Sequence, residues 1–116
     1  MQVISNLVAN AIQAMPAGGL LSISVEDVDE PTSGMELTIS DNGMGIAPNH
    51  LPRVFEAFFT TRATVGIGIG LFIAKQFVEG HGGEIGITSQ TDPKNHGTTV
   101  RVFLPWKTTY ELSPNA

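Results

Sequence analysis

Asp41 and the two glycines that follow it one residue apart, in Asp41-Asn42-Gly43-Met44-Gly45-Ile46, form a set with a definite chemistry. A carboxylate accepts hydrogen bonds from an exocyclic amino group such as that of adenine, and glycine lets a flat ring approach the backbone closely. The same residues also suit an ordinary tight turn after a strand. A second set lies upstream. Asn6, Asn10 and Gln13, spaced by four and three, share one narrow stripe of a helix. Asparagine is a poor helix former, so three aligned amides beside an apolar face suggest a polar cleft wall rather than a merely solvated face. An amide oxygen is a hard ligand suited to Mg²⁺. A third set, Gly66-Ile67-Gly68-Ile69-Gly70, runs into a helical pattern. Free backbone N–H groups and the helix dipole favour an anion such as phosphate at such a place. No Gly-Lys-Ser/Thr follows, and no strand precedes, so neither a Walker loop nor a dinucleotide fingerprint fits.

These residues need elements to place them. Gln2 to Met15 reads as a helix: Val3, Leu7 and Ala11 are four apart, as are Ile4, Val8 and Ile12. Pro16-Ala17-Gly18-Gly19 stops it. Leu20 to Asp29 alternates, with Leu21, Ile23 and Val25 on one side, and Met35 to Ser40 returns after a polar turn. The pair predicts a hairpin whose second strand delivers Asp41 to an edge. A short helical turn is expected at 47–55, then a cluster of Phe55, Phe58 and Phe59 that suits a core. Ala63 to Gly70 reads as a loop and Leu71 to His81 as a helix ended by Gly82-Gly83. Strands are expected over Glu84–Gln90 and Gly97–Leu104, with a turn from Thr91 to His96 between them and a tail from Trp106 onward.

A chain of 116 residues with 41% hydrophobic and 15% charged residues fits one globular domain. A net charge of −5 argues against a general nucleic-acid binder. With no cysteine there is no disulfide framework and no thiolate metal site. No apolar run is long enough to span a bilayer and no signal peptide opens the chain, so the expected compartment is the cytoplasm. The first helix opens without a cap, which predicts that the chain was cut from a longer protein.

Taken in order, these pieces resemble the catalytic, ATP-binding domain of bacterial sensor histidine kinases, part of a wider group with gyrase, heat-shock chaperone and mismatch-repair ATPases. Asn6-Leu7-Val8-Ala9-Asn10-Ala11 is similar to the N box. Asp41 to Ile46 resembles the first glycine box, Phe55 to Phe59 the F box and Gly66 to Leu71 the second glycine box. Glu79-Gly80-His81-Gly82-Gly83 and Gly97-Thr98-Thr99 match the later run. The resemblance covers Gln2 to about Pro105, giving an expected domain of 1–107 and a tail of 108–116.

The resemblance implies an α+β fold, a two-layer α/β sandwich of the Bergerat type. About four strands in a mixed sheet pack on about three helices, and the family's first strand is missing, which exposes an edge and lowers stability. Asp41 would receive the adenine amino group, helped by Thr98 through water, with Gly43 and Gly45 leaving room for the ring. Asn10 would bind Mg²⁺, with Asn6 and Gln13 nearby. Gly66, Gly68 and Gly70 would surround the phosphates, Phe58 and Phe59 would hinge a lid, and Arg62 would touch phosphate. Ile46, Thr60, Thr61 and Leu71 are also placed at the nucleotide. The cofactors implied are ATP and Mg²⁺. The implied partners are a helical dimerisation and phospho-acceptor domain of the same parent, which can be membrane-anchored, and a response-regulator receiver domain.

Three functions compete. One is a kinase domain passing the γ-phosphate to a histidine on the separate helical domain. Another is a self-contained ATPase of the gyrase or chaperone type. Such ATPases carry a Glu one turn before the Mg²⁺-binding Asn, as a base for water, and here that position is Asn6. A third is a nucleotide-binding module without transfer, suggested by Ile67 where the family has Thr or Ser and by Gln13 where it often has Lys. Of the three histidines, His81 matches a structural position and His96 lies in the expected turn. His50-Leu51-Pro52 lacks the acidic neighbour of a phospho-acceptor box.

Overall fold

A computed structural model describes residues 2–30, 32–56 and 70–106. Two α-helices, α1 (Gln2–Gln13) and α2 (Gly70–Gly80), lie on one face of a four-stranded sheet of β1 (Leu21–Val28), β2 (Gly34–Asp41), β3 (Glu84–Asp92) and β4 (Asn95–Pro105). The expected helical turn at 47–55 contains a single 3₁₀ turn, Leu51–Arg53. Two α-helices and this turn therefore stand among the described residues where about three helices were expected. The tail at 108–116 lies outside them.

The strand order is β1-β2-β4-β3, and every adjacent pair is antiparallel. This differs from the mixed sheet expected, and the topology supplies the reason. The crossover through α2 joins β2 to β3, which do run parallel, but β4 folds back and inserts between them. The sandwich of helices on one sheet is otherwise as expected.

Strand side chains alternate between faces, so the register sorts the helix side into rows. One row runs Val25, Leu37, Val102, Ile85, and the next Ile23, Ile39, Val100, Ile87. The apolar face of α1 (Val3, Leu7, Ala11) and that of α2 (Leu71, Ala74, Val78) bury the middle of these rows. The opposite face is polar, with Ser40 Oγ and Thr99 Oγ1 2.9 Å apart.

The helix ends are held by backbone bonds. At the end of α2, Gly83 N–H donates to Val78 O (2.9 Å) and Gly82 N–H to Glu79 O (3.1 Å). This is the Schellman pattern, and Gly82 adopts the positive φ of +75° that it requires. β1 departs from its periodic pattern in burial. Ile23 is 50% and Val25 59% exposed, because β1 pairs with β2 alone and the helices cover the centre of the sheet.

Candidate functional site

A third row crosses the sheet on the helix side one step beyond the apolar pair: Leu21, Asp41, Thr98, Ser89. Here the buried layer turns polar. Asp41, at the end of β2, stands directly opposite Thr98 on β4. Thr98 is only 5% exposed, so its hydroxyl needs a partner. It has one in Ser89 Oγ at 2.8 Å.

The loop after Asp41 is strapped down on three sides. Asp41 Oδ1 accepts from Gly43 N–H at 2.8 Å, while Oδ2 bonds none of the described residues. Leu20 N–H donates to Asn42 Oδ1 (2.8 Å), tying the loop to the start of β1. Met44 N–H donates to Ala14 O (3.2 Å) just beyond α1. From the β3–β4 hairpin, Ser89 Oγ accepts from Ile46 N–H (2.7 Å) and His96 Nδ1–H donates to Gly43 O (2.6 Å).

The glycines are required where backbones meet. A Cβ on Gly43 would run into the Ala14 carbonyl, and one on Gly97 into the Asp41 carbonyl. Gly45, at φ +80°, would strike Gln90 O as well as strain its own backbone. Gly43 and Gly45 were expected to leave room for a ligand's close approach. Much of the space they save is used by the protein itself.

On α1, Asn6 and Asn10 are both half-buried. The Asn6 amide nitrogen is buried and has no hydrogen-bond partner among the described residues, an unmet donor beside the start of α2, where a Cβ on Gly70 would lie 3.8 Å from Asn6 Cβ. Gln13 is half-buried one turn on. Leu71 belongs to the core, and Ile46 packs against it. Phe55 packs there too, with Lys75 Nζ 5.2 Å from its ring centroid. Phe58, Phe59, Thr60, Thr61, Arg62, Gly66, Ile67 and Gly68 lie outside the described residues. Among the described residues, no three His, Cys, Asp or Glu gather as metal ligands.

Two residues of this site were not singled out from sequence. Ser89 carried a signal: Ile85, Ile87 and Ser89 alternate, so the serine faces the helices. His96 stands in β4 rather than in the expected turn. The hairpin closes on Pro93-Lys94 alone, and Thr91 pairs with His96. His81 fits its expected structural role, with Nδ1–H donating to Phe77 O (2.8 Å) and its ring stacked 4.3 Å from that of Phe77.

A half-buried polar row at the end of the sheet, with an amide-bearing helix in the layer above it, fits the arrangement expected of an ATP-binding domain. Residues 1–108 match the family described as "Histidine kinase-, DNA gyrase B-, and HSP90-like ATPase", and the chain belongs to it. It is 38% identical over 104 residues to the sensor histidine kinase ZraS of Escherichia coli (strain K12), an alignment covering 90% of this chain and 21% of that protein. Among solved structures it resembles the mycobacterial sensor histidine kinase MprB (TM-score 0.77, 34% identity, 90% of this chain and 70% of that one). It also resembles full-length ShkA, solved in complex with AMPPNP (TM-score 0.73, 25% identity, 90% of this chain and 21% of that one). The chain is thus a kinase-type ATP-binding domain. It spans about a fifth of the length of the curated relative ZraS.

Proposed function

We propose that this chain is the catalytic module of a sensor histidine kinase: it binds Mg–ATP and presents the γ-phosphate to a histidine on a separate helical domain of its parent. A response-regulator receiver would then take the phosphoryl group. The observation that carries the reading is Asp41, whose Oδ2 bonds none of the described residues and which stands in register with buried Thr98. Two acceptors side by side suit the exocyclic amino group of adenine, directly and through water. The unmet Asn6 amide donor supports a ligand between α1 and α2. The complex of ShkA with AMPPNP, an ATP analogue, points the same way.

Asn10, on the same stripe of α1, would supply an oxygen to Mg²⁺, which offsets phosphate charge when bound. The remaining oxygens would come from phosphates and water. Asn6 cannot take a proton from water, so the position that serves hydrolysis in related ATPases is silent here. Calorimetric titration with ATP and GTP, each with and without Mg²⁺, tests the reading. ATP should bind well above GTP, and Mg²⁺ should tighten it. Equal affinities for the two bases would remove the central claim.

A further inference from the structure

Gly43 occupies an awkward position. Only glycine fits against the Ala14 carbonyl, yet glycine has no side chain to fix its own torsions. Its N–H is the group that holds the Asp41 carboxylate, at 2.8 Å. Any looseness at Gly43 therefore reaches the carboxylate directly. His96 closes this gap. Gly43 O can only accept, so the proton of the 2.6 Å contact sits on His96 Nδ1. A single residue then links the imidazole to the carboxylate: Nδ1–H to O=C of Gly43, and N–H of Gly43 to Asp41 Oδ1. Both the neutral Nδ1–H tautomer and the imidazolium carry this proton.

Ser89 acts at the other end of the loop and settles a polarity. Its hydroxyl donates to Gly97 O at 2.9 Å, and that bond uses its one proton. It accepts from Ile46 N–H. Its 2.8 Å contact with Thr98 Oγ1 must therefore have Thr98 as the donor. With that proton committed, Thr98 can offer only a lone pair to whatever stands before Asp41.

We propose that His96 and Ser89 are positioning residues for recognition of an amino-bearing purine. From near the turn of the β3–β4 hairpin they fix the Asp41 carboxylate and hold Thr98 as an acceptor, making the row selective for a donor. This rests on the adenine reading of the same site. Neither residue needs to touch the ligand.

The test uses the full 116-residue chain with ATP and ITP, whose bases carry an amino group and a carbonyl at the same ring position. The wild type should prefer ATP. His96→Leu and Ser89→Ala should each reduce that preference about three- to tenfold, the scale of one hydrogen bond, by weakening ATP and leaving ITP unchanged. His96→Asn, which restores a side-chain N–H at the Nδ1 position, and Ser89→Thr should recover it. A role in folding alone would weaken both nucleotides together. In the ligand-free chain, amide hydrogen exchange of Met44 and Ile46 should quicken in His96→Leu and Ser89→Ala and not in His96→Asn. An unchanged ATP/ITP ratio in both disabling variants, with a discriminating wild type, overturns the inference and leaves the adenine site standing. A wild type that binds ATP and ITP equally overturns the adenine reading, and this one with it.

Discussion

At the scale of single residues, Asp41 has two duties that one substitution can separate. Oδ1 holds the Gly43 N–H, and Oδ2, which bonds none of the described residues, is the acceptor that the proposed reading gives to adenine. Asp41→Asn keeps an oxygen for Gly43 and replaces the other acceptor with a donor. Two donors would then face each other when adenine enters. ATP binding should weaken by about 1–3 kcal/mol, with little change in thermal stability. Loss of binding together with loss of the folded state would point to a structural carboxylate instead. Asn10 can be tested independently. Its neutral oxygen suits a hard cation, so Asn10→Leu should abolish the tightening of ATP by Mg²⁺ while Mg²⁺-free binding persists, as read by titration calorimetry. Persistent Mg²⁺ enhancement in that variant would place the metal elsewhere. The turn of Asp41, Gly43 and Gly45 at a strand end was legible because residue types and order announce it, whereas Thr98 entered only through the family resemblance. His96 was not, because its partner lies 53 residues away, and local chemistry around Asp92-Pro93-Lys94-Asn95 speaks only of a turn.

At the scale of elements, periodicity located both helices and all four strands, since period 2 and period 3.6 are local properties. What it could not give was coverage and adjacency. Ile23 and Val25 alternate as core residues do, yet they sit on a strand paired on one side only, partly beyond the helices. Period 2 says which face a side chain takes and nothing about how far that face is covered. The insertion of β4 between β2 and β3 is likewise a long-range outcome, invisible in any single strand. The contrast yields a stability prediction. Leu7, 1% exposed under the centre of the sheet, should cost about 2–5 kcal/mol when replaced by Ala. Val25→Ser on the exposed β1 row should stay within about 0.5 kcal/mol. Urea unfolding midpoints compare the two. A large loss from Val25→Ser would mean that the β1 face is covered in solution.

At the scale of the whole molecule, phosphoryl transfer needs an acceptor in line with the γ-phosphate as well as charge stabilisation around it. On the proposed reading, the amide stripe of α1 addresses the second need. The chain's own histidines do not address the first. His81, stacked on Phe77 at the end of α2, and His96, bonded to Gly43 O in β4, each serve a local contact, and neither is followed by an acidic residue. His50 immediately precedes the 3₁₀ turn at Leu51–Arg53 and lacks an acidic neighbour. Water is no better served, since Asn6 replaces the general base. The chain alone should therefore bind Mg–ATP, release phosphate negligibly and take up no label from γ-labelled ATP. Supplying the helical histidine domain of the parent, fused or in trans, should produce acid-labile phosphohistidine on that domain, because only then does a nucleophile reach the phosphate. Rapid phosphate release by the chain alone would favour a self-contained ATPase. Label on His50, His81 or His96 would show that the acceptor lies within the domain. A chain that binds ATP but never labels the added domain would be a nucleotide-binding module, as Gln13 and Ile67 allow.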